Sequence, residues 1–131
     1  MSEYLFTYGT LQPGHAPAEI ADVVRDLLIV GKGTIPGTLY DLGSYPGAVL
    51  DQTISRRITG TVFQLPPAIE ILQRLDDYED YDRESPGASL FIRRQCSVQL
   101  HDGRILECWV YEYNGPRDRA PIVESGAYIP D

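Results

Sequence analysis

One glutamate continues the apolar face of a predicted helix and is the first candidate for chemistry. At about 100° per residue, Leu72 and Leu75 share a helix face with Ala68, and Glu79 falls almost in line with Leu72. Other charged residues of the segment point away from this face: Glu70, Arg74 and Asp77. Burial and the negative end of the helix both raise the pKa of a carboxyl group placed here. A carboxyl group whose pKa is shifted towards neutral pH suits general acid–base catalysis.

Helical position alone leaves a second interpretation of Glu79 open. A glutamate at a helix end can turn out to water, or it can pair with Arg83 or Arg93. Acidic residues are frequent in this stretch, which contains Asp76, Asp77, Asp80 and Asp82.

A glycine turn near the N-terminus is the second candidate feature. A strand runs into Tyr8-Gly9-Thr10-Leu11-Gln12-Pro13-Gly14, and a helix follows. Such a turn leaves backbone N–H groups free to bind a carboxylate or phosphate, and Gly9 allows close approach of a ligand. An ordinary turn is the alternative. A nucleotide-binding P-loop is excluded, because the one Gly-Lys pair, Gly31-Lys32, is followed by Gly33.

Metal and nucleophile motifs are weak in this chain. His15 and His101 are the only histidines, with no cysteine or acid at zinc-ligand spacing. No GxSxG motif marks a serine nucleophile. We therefore expect no zinc site.

Two cysteines lie on the two arms of a predicted hairpin with Asp102-Gly103 at its tip. If His101 pairs with Arg104, Cys96 and Cys108 point to opposite faces of the sheet. The sequence thus predicts two buried free thiols.

The elements that must hold these residues indicate a single α+β domain over residues 1–131. Patterning predicts strands at 4–10, 27–35, 37–42, 47–51, 55–65, 90–100 and 104–113, helices at 16–28 and 68–78, and a tail with at most a short closing strand. Many short strands with two helices favour a small mixed sheet curled towards a barrel, without fixing the strand order.

Composition limits the classes of partner. The 131 residues carry a formal charge of −8, which repels nucleic acid and anionic membrane surfaces. No apolar run reaches 18 residues, and the N-terminus lacks the pattern of a secretory signal. We therefore expect a cytoplasmic protein. A small domain of this kind could be a monomer or a weak homodimer.

Taken together, the motifs resemble the gamma-glutamylcyclotransferase-like superfamily, and most closely its short branch with the gamma-glutamylamine cyclotransferases. The matching features, in chain order, are Tyr8-Gly9-Thr10-Leu11, Leu75-Asp76-Asp77-Tyr78-Glu79, Phe91-x-Arg93, Trp109-x-Tyr111 and Ser125-Gly126. The likeness covers nearly the whole chain. It implies a small mixed β-barrel with the site at its mouth.

The resemblance also implies a reaction and its residues. A γ-glutamyl amide would be converted to 5-oxoproline and a free amine, and this reaction would need no metal or cofactor. The backbone of Tyr8, Gly9, Thr10, Leu11 and Gln12 would hold the α-carboxylate, and Glu79 would be the general acid and base. The leaving amine could be an amino acid, a lysine side chain, a polyamine or a larger metabolite.

One residue departs from the family pattern. Many members carry tyrosine where Phe91 stands, so the hydroxyl is missing here, and Tyr45, Tyr81 or Tyr128 could replace it. This departure keeps open an alternative function, a catalytically silent domain of the same fold that binds small molecules.

Overall fold

Six strands and two α-helices make up the part of the chain that the computed structural model describes, residues 3–9, 18–25, 27–43, 45–67, 69–82, 84–117 and 119–127. In chain order the elements are β1 (Tyr4–Thr7), α1 (Ala18–Arg25), β2 (Leu28–Asp41), β3 (Pro46–Leu50), β4 (Arg57–Gln64), α2 (Ile69–Tyr78), a short 3-10 helix (Pro86–Ala88), β5 (Phe91–Leu100) and β6 (Ile105–Tyr113).

Five of the strands close into a mixed barrel. The sheet order is β3-β2-β4-β1-β6-β5, and a pairing between β2 and β5 completes the ring, with β3 added outside it along β2. The pairing of β1 with β6 is parallel, and the other pairings are antiparallel. The expected α+β fold with a small mixed barrel and two helices is confirmed.

Alternating side chains divide the core in two. Along β1 and β6, neighbours such as Leu5 and Phe6, or Val110 and Tyr111, belong to different buried clusters because successive side chains point to opposite faces. One cluster contains the apolar face of α1, with Ile20 and Val23, together with Leu75 of α2. The other fills the barrel. The helices therefore cover one outer face of the barrel.

The two predicted strands at 27–35 and 37–42 form one continuous strand, β2, so their separation was wrong. Pro36 pairs with Arg57, and the pairing continues past it, since the Gly37 N–H donates to the Arg56 carbonyl at 3.1 Å. Gly33 lies where β2 meets β5, and a Cβ there would stand 2.9 Å from the backbone oxygen of Gln99. Gly33 therefore marks a close approach between β2 and β5, and neither Gly33 nor Pro36 ends strand β2.

The predicted hairpin register was also wrong. The Leu100 N–H donates to the Arg104 carbonyl at 2.8 Å, and Gly103 has a left-handed φ of 96°, so the turn contains three residues and not two. A shift of one residue moves side chains to the other face. Cys96 therefore lies directly opposite Cys108 on the same face. Both thiols are buried and free, as expected.

The remaining elements follow the predictions with shorter ends. The first strand stops at Thr7, the first described helix covers Ala18–Arg25, and Leu28 already belongs to β2. In the described part of the tail, Ile122 forms a β-bridge with Tyr40. Within the described ranges, no helix is long and apolar enough to cross a membrane.

Close packing between β1 and β4 makes Gly60 sensitive to substitution. A Cβ at Gly60 would lie 2.6 Å from the Phe6 ring and still closer to the Thr7 carbonyl oxygen. We expect Gly60→Ala to lower the free energy of unfolding by about 3 kcal/mol or more, as overpacking does. Gly87→Ala is the control, since a Cβ there meets no heavy atom within 4 Å. Urea unfolding measures both, and equal midpoints would refute the close approach.

Candidate functional site

A cavity of about 440 Å³ lies where the end of β1, the end of α2 and the start of β5 converge. Its lining includes the end of β1 with Tyr8 and Gly9, the start of β3 with the preceding Tyr45, the chain 77–80, residues Leu90 and Phe91, and Tyr111 of β6. The structure thus places Glu79 and the first two turn residues, Tyr8 and Gly9, around one cavity. Thr10, Leu11 and Gln12 lie outside the described residues.

The end of helix α2 presents Glu79 to this cavity. The Glu79 N–H makes the last regular helical bond, to the Leu75 carbonyl at 2.9 Å. Asp80 then adopts a left-handed φ of 61°, the Tyr81 N–H donates to the Asp76 carbonyl at 2.9 Å, and the Asp80 N–H donates to the Asp77 carbonyl at 3.2 Å. These two bonds form a Schellman motif with Glu79 as the C-cap residue. The backbone of Glu79 is therefore fixed from both sides.

Desolvation is the main electrostatic feature of Glu79. The residue keeps some exposed surface because it lines the cavity, yet burial raises the pKa of its carboxyl group to about 7. A carboxyl group with a pKa of about 7 can both accept and donate a proton at neutral pH.

Tyr8 ties the end of β1 to the neighbouring strand β6. Its buried hydroxyl donates to the carbonyl of Tyr111. Burial, and next the negative charge of Glu79, raise the pKa of Tyr8 far above its ordinary value. The tyrosine therefore remains a neutral donor that fixes the end of β1 against β6.

Gly9 borders the cavity beside Pro46. A Cβ at Gly9 would lie 3.0 Å from Cγ of that proline, so a larger residue would press against the ring. Glycine keeps this part of the cavity open to a ligand.

Arg93 pairs with Asp76 and not with Glu79. Its Nε lies 2.9 Å from Asp76 Oδ1, and only 7% of each side chain is exposed. The Nε–H is not directed at the carboxylate, and it has no hydrogen-bond acceptor among the described residues. The Tyr111 hydroxyl donates to the same Oδ1 at 2.6 Å, and the guanidinium lies 4.3 Å from the centre of the Trp109 ring.

Sequence reasoning missed this buried group of Asp76, Arg93 and Tyr111. A signal was available for Arg93, because alternation along β5 places it on the same face as the buried Phe91. Asp76 gave a weaker signal, since it stands beside Leu75 at the edge of the apolar face of α2 and is buried with it.

Phe91 has no hydroxyl group, but a tyrosine side chain lies next to it. The Tyr45 ring lies 5.9 Å from the Phe91 ring, and both residues line the cavity. Tyr81 instead lies near Arg93, with 5.9 Å between the guanidinium and the ring centre. Tyr128 lies outside the described residues. Tyr45 is therefore placed to offer a hydroxyl where Phe91 has none.

In the described ranges, no three histidine, cysteine, aspartate or glutamate side chains form a group that could hold a metal ion. The ionisable groups at the cavity are instead carboxylates and phenols.

Comparison with known proteins identifies the family of this chain. Residues 5–130 match the family model described as gamma-glutamyl cyclotransferase, AIG2-like. The chain belongs to this family. The range that matches the gamma-glutamyl cyclotransferase, AIG2-like, family model contains Tyr8, Gly9 and Glu79.

Relatives support the same assignment. The chain is 32% identical over 111 residues to gamma-L-glutamyl-butirosin B gamma-glutamyl cyclotransferase of Niallia circulans, covering 84% of this chain and 66% of the relative. It is 29% identical to a Methanocaldococcus jannaschii protein with a provisional gamma-glutamylcyclotransferase name, over 96% of this chain and 95% of that one. The chain therefore spans slightly less than two thirds of the butirosin relative.

A solved structure supports the fold. The crystal structure of an AIG2-like protein from Mus musculus superposes with a TM-score of 0.75 at 22% identity, over 98% of this chain and 88% of that chain. The family fold therefore extends over almost the whole sequence.

Proposed function

We propose that the protein converts a γ-glutamyl amide to 5-oxoproline and a free amine, with Glu79 as general acid and base. The observation that carries the proposal is a carboxyl group with a pKa of about 7 in a cavity that the Tyr8-Gly9 turn also lines. Family membership and the name of the Niallia circulans relative support the same reaction class.

The reaction needs no enzyme nucleophile, because the substrate supplies its own. The α-amine nitrogen of the glutamyl group attacks the γ-carbonyl carbon and forms the ring C–N bond. Glu79 accepts the proton that the attacking nitrogen loses and donates it to the leaving nitrogen as the original amide bond breaks. Protons balance, and no water is consumed. One carboxyl group with a pKa near neutrality serves both steps.

Binding in a folded conformation supplies the second contribution. The N–H groups of Tyr8, Gly9, Thr10, Leu11 and Gln12 would hold the α-carboxylate, as turn N–H groups hold anions. Anchoring this end brings the α-amine towards the γ-carbonyl and supplies proximity. N–H groups of the same turn would also stabilise the oxyanion that develops on the γ-carbonyl.

The aromatic wall of the cavity would hold the rest of the substrate. Tyr45, Tyr78 and Phe91 line the cavity together with Glu79. Their rings can cover the methylene groups of the glutamyl chain, and the Tyr45 hydroxyl can replace the one that Phe91 lacks. A cavity of about 440 Å³ has the size of an ordinary small-molecule site.

A substrate panel tests this function. Pure protein is incubated with γ-glutamyl amino acids and γ-glutamyl amines, and 5-oxoproline is measured by mass spectrometry. We expect release from at least one compound at a rate proportional to the protein concentration. Binding by calorimetry without any release would instead favour the alternative, a silent binding domain of the same fold.

A further inference from the structure

The buried group of Asp76, Arg93 and Tyr111 lies next to the cavity but takes no part in the reaction described above. Asp76 and Arg93 are opposite charges with 7% of each side chain exposed, and Trp109 covers the guanidinium. Removing two charges from water is costly and gives stability only with good partners. A buried ion pair at this position calls for an explanation beyond stability alone.

The backbone connects this group directly to Glu79. The Asp76 carbonyl accepts the Tyr81 N–H that closes the Schellman motif around Glu79. The Asp76 side chain is held by β5 through Arg93 and by β6 through Tyr111. Asp76 therefore fixes the C-cap turn to the barrel through both its main chain and its side chain.

The hydroxyl proton of Tyr111 already forms a hydrogen bond within this buried group. A phenol has one O–H to donate, and Tyr111 donates it to Asp76 Oδ1. Tyr111 also lines the cavity, and the negative charges of Asp76 and Glu79 both act on its hydroxyl and raise its pKa, after the larger effect of burial. The Tyr111 hydroxyl is therefore affected by the charges of two carboxylates, and it donates its hydrogen bond to one of them, Asp76.

The charge of Arg93 is likewise balanced within the group, by Asp76. Its guanidinium contacts Asp76 and stacks on Trp109, so the pair as a whole is neutral. The described groups around the Glu79 carboxylate are otherwise neutral or negative. By element they are Tyr8 after β1, Tyr45 before β3, Asp77, Tyr78 and Asp80 at the end of α2, and Tyr111 with the more distant Glu112 on β6.

We propose that Asp76, Arg93 and Tyr111 are positioning residues for Glu79. They fix the C-cap turn against β5 and β6, and they keep the Tyr111 proton and the Arg93 charge away from the Glu79 carboxylate. Burial is then the largest influence on the proton affinity of Glu79, and the Arg93 cation does not offset it. The link to catalysis rests on the proposed cyclotransferase function, whereas the effect on Glu79 does not.

Titration of Glu79 in Asp76→Asn tests the arrangement. Asparagine keeps the shape and can still accept the Tyr111 hydrogen bond, but it leaves Arg93 as an uncompensated cation. We expect the pKa of Glu79 to fall from about 7 by on the order of one pH unit. The probe is the ¹³C-labelled glutamate carboxyl signal in NMR, assigned by its loss in Glu79→Gln.

Two further variants distinguish the charge effect from general damage. In Asp76→Asn/Arg93→Met the cation is also removed, so the Glu79 pKa should return towards the wild-type value. Arg74→Met removes an ion pair with Asp22, which joins α2 to α1 on the surface, and should leave the Glu79 titration unchanged. A merely structural role would not produce a fall that a second substitution reverses.

Turnover gives an independent readout. At neutral pH we expect Asp76→Asn to lower kcat severalfold with KM within about twofold, because a carboxylate with a lower pKa is a weaker base towards the attacking amine. The acidic limb of the pH profile should move with the NMR titration.

The outcomes separate the two proposals. An unchanged Glu79 titration in Asp76→Asn, or a double variant that keeps the full shift, would overturn the positioning role. The expected titrations in a protein that releases no 5-oxoproline would leave the positioning role in place and overturn the proposed function.

Discussion

Glu79→Gln is expected to lower kcat for 5-oxoproline release about 10²- to 10⁴-fold, the usual contribution of general acid–base catalysis. The amide has nearly the shape of the carboxyl group but can neither accept the proton from the attacking amine nor return it to the leaving amine. The Schellman motif that fixes this residue is made of backbone bonds, so the fold should survive. Steady-state kinetics with mass-spectrometric detection gives kcat, and circular dichroism checks the fold.

The matched control changes a glutamate on the same helix. Glu70→Gln alters an exposed residue in the first turn of α2, at the end away from the cavity. It should retain wild-type kcat. If Glu79→Gln folds and turns over as fast as wild type, another group moves the proton.

The same substitution should stabilise the protein at high pH. Glu79 has a folded pKa of about 7 and a reference value of 4.5, so the unfolded chain ionises first as the pH rises. Below about pH 4 the group is protonated in both states and costs nothing. Between the two pKa values the free energy of unfolding falls, and above the folded pKa the full cost remains. Glu79→Gln should then exceed wild type by about 2–3 kcal/mol at about pH 8.

Urea unfolding across this pH range measures the effect. The two free-energy curves should coincide at the acidic end and separate as the pH rises through neutrality. Parallel curves with a constant offset would mean that Glu79 is not desolvated in the folded state.

The sequence predicted the fold class and the cavity position of Glu79 because both depend on local periodicity. Apolar residues at helical spacing placed Glu79 in line with the buried face of α2, and the structure puts it at the cavity lining beside Tyr8 and Gly9. Whether these residues bind and transform a substrate stays a prediction.

Features that depend on contacts between distant segments could not be derived from the sequence. Gly33 and Pro36 have the composition of chain breaks, but tertiary pairing with β4 and β5 keeps β2 continuous. Asp-Gly favours a two-residue turn, and the three-residue turn observed at Gly103 moves Cys96 opposite Cys108. Local propensity was overruled in both cases by the pairing of strands.

The choice of partner for Arg93 has the same origin. Asp76 and Glu79 are three residues apart on α2, and both were available to an arginine on β5. Which of them pairs depends on how the helix rotates against the barrel, which burial of Leu75 and contact with Tyr111 decide.

Isotope tracing in H₂¹⁸O tests the central claim most directly. The substrate is a γ-glutamyl amide that the panel identifies, labelled with ¹⁵N in its α-amine. Cyclisation predicts 5-oxoproline that keeps the ¹⁵N and contains no ¹⁸O, because the α-amine and not water attacks the γ-carbonyl. Glutamate carrying ¹⁸O in its γ-carboxyl group would show hydrolysis and contradict the account.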